Sequence, residues 1–382
     1  MFDSVISFYS GRMDRTLASI GVLIGVVFIL LLRVVAPGYI SLGAMLAIAC
    51  AVYILLTNKK TAVWENGFTF DIGPRMYLVL NILFLIFLAF SFLMLYFSST
   101  TRPIGYFIST ALMGVILALE ILTLPENSDR RVVIILAKVL MLGLILNWSP
   151  YYIFPGSFLG TDPWRNAVLY DSISESGHLV PEMFGYRYMP LHHLLVVTTA
   201  QITSLEIREA MILSVGLFEV FSLTFVFLAA RNIFNPKVAL LATLVLSINN
   251  LHIYWSWWII AQTLGIALVA AVLFLIYAPR TQGNITYRAI VILTLFVLLG
   301  THAVSSFVAL VILLLSYLGS WIYTFITKTK VARNYSSIAL LFGVVTISYW
   351  MYISSFFDGF VRMISSDASV LPSSKISSSK SS

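Results

Sequence analysis

Apolar runs about as long as a bilayer is thick recur along this sequence, and that recurrence constrains the fold more than any motif in it. A hydrocarbon layer takes about 20 helical residues to cross. Stretches of that kind fall near 17–35, 39–56, 76–97, 103–124, 132–149, 209–230, 238–250, 260–278, 288–301, 304–326 and 335–353. Composition agrees, since 60% of the 382 residues are hydrophobic and 10% are charged, where a soluble domain carries about a quarter charged residues. In lipid every backbone polar group must be bonded within the chain. The runs are continuous rather than alternating, which selects helices over a β-barrel. The sequence therefore predicts an all-α, polytopic transmembrane protein of about 11 spans. It has no recognisable cleavable signal peptide, because the first run is long and others follow it. The single cysteine, Cys50, excludes an internal disulfide and a cysteine-built metal site.

A net charge of +7 does not point to nucleic acid, because the basic residues gather in short loops, where they orient spans. The stretch 190–205 is short and carries His192, His193 and Gln201, so it reads as an interfacial helix rather than a crossing. With that choice Arg12, Arg15, Lys59, Lys60, Arg75, Arg130, Arg131, Arg231, Lys237, Arg280, Arg288, Lys328, Lys330 and Arg333 share one face. The positive-inside rule makes that face cytoplasmic. The N-terminus then lies inside, while the loop 150–208, the loop 251–259 and the tail lie outside, and the expected location is the cytoplasmic (plasma) membrane. Were 190–205 a span, the basic loops after it would all move outside. The expected organisation is a four-span region over 1–131, a seven-span module over 132–353, and a serine-rich, disordered tail over 354–382.

Chemistry is expected in the long outer loop, which carries Asp162, Asp171, Glu175, His178, Glu182, His192 and His193 in an otherwise apolar chain. Asp162 followed by Pro163 reads as a helix N-cap. A capped carboxylate just above a bilayer is also positioned to act as a general base or as a ligand for a hard divalent cation. Trp164 and the aromatic residues around it read mostly as interface anchors, with a few able to stack on sugar rings. Arg165, Arg187 and Arg208 are the outer arginines suited to hold a phosphate at the membrane surface. Within the spans, Glu120 and Lys138 sit at matching depth and predict an ion pair, whereas Glu219 shows no partner in the sequence. His302 falls at the outer end of a span. No GxGxxG, P-loop, HExxH or GxSxG motif occurs.

Over 132–353 this layout resembles the GT-C superfamily of membrane glycosyltransferases, which includes oligosaccharyltransferase catalytic subunits and protein mannosyltransferases. Gly-Thr-Asp162-Pro-Trp-Arg directly follows the first span of the block. Next comes Tyr-Arg-Tyr-Met-Pro-Leu-His-His (186–193), similar to the family's approach to an interfacial helix. The turn Arg231-Asn-Ile-Phe-Asn-Pro-Lys237 resembles its cytoplasmic turn between the second and third spans. The resemblance implies transfer of a sugar from a polyprenyl-phosphate donor, drawn from the membrane lipid, to a protein or glycan acceptor on the outer face. It assigns Asp162 as catalytic base or metal ligand. Arg165, Arg187, Arg208, His192, His302 and Trp164 become substrate contacts. It also implies a divalent cation, Mg²⁺ or Mn²⁺, with Asp162, Glu182 and His252 as its ligands. The loop 251–259 lacks the acids that many members carry, and the chain stops in a serine-rich tail where members usually continue. It is expected to be a shortened version. A catalytically silent cell-envelope assembly subunit and a secondary transporter are the alternatives.

Overall fold

The computed structural model describes residues 72–125, 128–179, 186–278, 284–327, 336–354 and 356–357, with the isolated positions Val22, Val26, Ile29, Ala47 and Ala51. The expected spans at 17–35 and 39–56, Glu182, and the tail beyond 357 lie outside the described residues. The chain divides into two compact units, Met1–Phe70 and Asp71–Ser382. In the first, the described positions are helical.

The second unit is all-helical, with no strand among the described residues. Its helices are α1 Pro74–Tyr96, α2 Ile104–Leu122, α3 Asp129–Ile153, α4 Thr161–Ser176 and α5 Leu191–Thr203. They continue with α6 Ile207–Ile233, then α7 Pro236–Ser247, α8 Asn250–Trp257, α9 Ala261–Tyr277, α10 Ile285–Leu299, α11 Ala303–Thr327 and α12 Ser336–Tyr352. Helices α1, α2, α3, α6 and α11 are long and apolar enough to cross a membrane. Helices α7 and α8 make a sixth crossing if counted as one, bent by 60° at the break between them. The bend has a local cause: the Asn249 side chain accepts from the backbone N–H groups of Leu251 and His252, starting a new helix there. Helix α5, with 13 residues, rises only about 20 Å, short of the hydrocarbon thickness.

Two apolar cores organise the unit. The first joins α1, α2 and α3 to Phe227 of α6 and to Ala239, Leu240 and Leu244 of α7. Within it the expected ion pair forms: Lys138 Nζ donates to Glu120 Oε2. The ammonium also stands over the rings of Tyr77 and Phe84, at 5.6 and 5.4 Å. The Tyr106 hydroxyl ties α2 to α3, 3.1 Å from the Ile145 carbonyl oxygen and 3.0 Å from Ser149 Oγ.

The second core gathers α4, α5, the start of α6 and helices α9 to α12. Small residues let its helices approach closely, as is common where lipid removes the hydrophobic drive between helices. A Cβ on Gly265 of α9 would stand 2.4 Å from Ser305 Oγ of α11. Helix α6 departs from α geometry over Ile212–Gly216, one π turn. Such turns recur at functional positions, and Glu219 follows this one within a turn.

Candidate functional site in the outer segment

Helix α4 begins at Thr161, with Gly160 at its N-cap at φ 87°. The Trp258 ring occupies the space a Cβ on Gly160 would need, its Nε1 only 1.9 Å from that position. The left-handed backbone and this contact both require glycine. They also move the cap two residues earlier than the sequence suggests. Asp162 is therefore not the N-cap: it lies inside the first turn, exposed. Its negative charge suits the positive end of the helix.

Two ladders of polar contacts fix α4 on α5. Asn166 and Tyr170 are one turn apart on α4 and face the two adjacent histidines of α5. His193 Nε2 lies 3.0 Å from Asn166 Oδ1, and Tyr170 Oη lies 3.3 Å from His192 Nδ1. Burial lowers His193 from the usual histidine value to about 4. His192 is lowered by burial first, then by the neighbouring His193 and His302. All three histidines are thus neutral and close together. Tyr186 packs on the His193 ring at 5.0 Å. Its phenol is raised by burial and by the Asp162 carboxylate and lowered by Arg165. That places Asp162, Arg165 and Tyr186 within electrostatic reach of one another.

Of the remaining expected residues, Trp164, Arg187 and Arg208 are dispersed and His302 belongs to the histidine group. Trp164 is exposed and meets Phe158 edge-on at 5.1 Å. Arg187 is exposed in the short turn after Tyr186. His302 binds the Ser305 hydroxyl through Nδ1 at 2.9 Å. Arg208 is engaged in holding the chain: Nε donates to the Ser157 carbonyl (3.1 Å), Nη2 to those of Tyr151 (3.1 Å) and Phe154 (3.3 Å), and Nη1 to Glu209 (2.9 Å). It satisfies carbonyls that the end of α3 leaves open. Beside it lies a cavity of about 240 Å³, lined by Phe92 and Leu95 of α1, by α3 from Leu144 to Tyr152, and by Arg208 and Ile212.

His252 makes a different contact. It is buried on α8 with Nδ1 3.2 Å from Glu219 Oε1, so Glu219 does have a partner, one that sequence reading did not supply. Among the described residues no three of His, Cys, Asp and Glu lie close enough to hold a metal ion. The described donors do not fit the implied cation.

No family model matches the chain, and no curated protein or solved structure resembles it at a significant level.

Proposed function

We propose that this chain is a polytopic membrane glycosyltransferase of the GT-C type, with eleven spans, a cytoplasmic N-terminus and its site on the outer face of the plasma membrane. The observation that carries the reading is Asp162, exposed in the first turn of α4 and within electrostatic reach of Tyr186, as is Arg165. The order long span, two short helices, long span (α3, α4 and α5, α6) supports it as well, matching what the resemblance implies.

In this reading Asp162 accepts the proton of the acceptor hydroxyl or amide as that group attacks the sugar, and its fixed position on α4 supplies the alignment. Arg165 and Arg187 stand at the exposed face, where guanidinium groups stabilise the charge that develops on a lipid-phosphate leaving group. The cavity between α1 and α3 gives the lipid chain a place beside the loop that leads to Asp162. Arg208, bonded to three carbonyls, holds that loop rather than the phosphate.

The test is transfer of labelled sugar from a panel of polyprenyl-phosphate sugars by purified protein in lipid. Asp162→Asn protein is expected to insert and fold yet lose transfer by at least about a hundredfold. Retained transfer ends the assignment. A secondary transporter is the second reading, favoured by the buried Glu219–His252 contact next to a bent helix pair, since polar groups at broken helices mark transport sites. Substrate flux in proteoliposomes without donor-dependent transfer would select it.

A further inference from the structure

We infer that Glu219 and His252 form an exchangeable proton-binding site within the helical bundle. The inference stands independently of the transferase reading. Both side chains are buried, at 0% and 4% exposure, with His252 Nδ1 3.2 Å from Glu219 Oε1. Two serines lie beside the carboxylate, but each has a better acceptor. Ser256 Oγ is 2.7 Å from the His252 carbonyl and 3.2 Å from Glu219 Oε1. Ser222 Oγ is 2.6 Å from the Glu219 carbonyl and 3.5 Å from Oε2. A hydroxyl has one proton to donate, so neither serine solvates a full carboxylate charge. An isolated ion at this depth is expensive.

The pair resolves this by keeping a proton. With it, the pair is neutral overall, either as carboxylate and imidazolium or as carboxylic acid and imidazole. In both forms His252 Nε2 carries a hydrogen, and that atom is buried with no partner. Releasing the proton to water leaves one negative charge, with Nε2 as a bare acceptor. Imidazole can receive a proton at one nitrogen while losing one at the other, which suits it to exchange rather than storage. Among the described residues, the charged and titratable side chains of the surrounding elements are engaged elsewhere. Lys138 of α3 is bonded to Glu120, Lys237 of α7 points to the Leu122 carbonyl, and Tyr277 of α9 meets Ser316. On α6 itself, Arg208 and Arg231 are paired with Glu209 and Asp129.

The site also sits where the helices are least regular. The π turn of α6 ends at Gly216, and α8 joins α7 through the 60° break. Both irregularities fall on the elements that bring Glu219 and His252 together.

Infrared difference spectroscopy of the full chain in lipid, stepped from about pH 5 to about pH 9, tests the inference. The expected result is a band of the bound proton, a carboxylic C=O stretch or an imidazolium ring mode, that shifts in D₂O, loses intensity as pH rises and is removed or moved by both E219Q and H252Q, while E120Q leaves it in place. A wild-type spectrum with no titrating band of either kind, or one that persists unchanged in E219Q, overturns it. Should E219Q fail to fold, ¹⁵N-histidine NMR of wild-type protein decides, with H252Q identifying the signal among five histidines. Ring shifts of His252 that change over the same range support the site, and invariant shifts overturn it. Neither readout depends on sugar transfer, so each reading can fail alone.

Discussion

Replacing Lys138 with leucine removes the one donor that neutralises Glu120. The carboxylate is fully buried and its second oxygen, Oε1, has no other partner. Breaking a buried pair from one side costs about 3–5 kcal/mol, because the abandoned charge stays out of water. Glu120→Leu is the milder change, since the Lys138 ammonium keeps the ring faces of Tyr77 and Phe84. Such faces return about 1–2 kcal/mol when desolvated, so the loss falls to roughly 2–3 kcal/mol. The double change to leucine leaves no charge and fills the space with apolar atoms, within about 1 kcal/mol of wild type. Reversible unfolding in mixed micelles, followed by tryptophan fluorescence, gives all four corners of the cycle. The order expected is wild type and double near one another, then Glu120→Leu, then Lys138→Leu. A double variant as damaged as the sum of the two singles would refute the pairing argument. Equal losses in both singles would refute the part assigned to the aromatic rings.

Three further changes test the outer segment. Gly160→Ala forces a Cβ onto Trp258 at a φ that alanine avoids, so transfer should fall roughly a hundredfold through displacement of Asp162, with helix content unchanged by circular dichroism; wild-type transfer would separate Asp162 from this contact. His193 is held neutral by burial, at about 4 against 6.5. The unfolded state therefore binds the proton more readily, and stability is complete above about pH 6.5 and lost as pH falls towards about 4, by roughly 3 kcal/mol. Hydrogen exchange over α4 and α5 should speed up in that window and lose the response in His193→Gln; exchange that ignores pH refutes it. Arg208→Ala should lower unfolding stability by about 3 kcal/mol through the three orphaned carbonyls, and unchanged stability with lost phosphate-lipid binding would return Arg208 to the ligand.

What the sequence reveals and what it hides follow from the range over which each signal acts. Helix positions were legible because twenty uncharged residues carry their own reason to be helical in lipid, and α1, α2 and α3 fall within three residues or so of the runs at 76–97, 103–124 and 132–149 apart from the outer turn added to α3. The Glu120–Lys138 pair was legible because consecutive antiparallel spans put equal depths side by side. The sequence places the cap two residues late, at Asp162, because the true cap depends on Trp258, nearly a hundred residues later in the chain, whose ring admits only glycine at 160.

The same limit explains Glu219. Its partner lies on the far side of a helical break, and the bend angle that carries His252 to it is not written in any periodicity. A faint trace does exist: His252 and Ser256 are one turn apart on one face of a short helix, behind an asparagine that caps it. A polar stripe on a helix too short to span points inward towards something polar, and in this bundle the buried acid of α6 is what it meets. The outer carboxylate and the buried one are therefore separable by chemistry. Asp162 stands on an exposed face, as a base that turns over substrate needs; Glu219 is buried against one imidazole and two serine hydroxyls, as a group whose ligand is a proton needs.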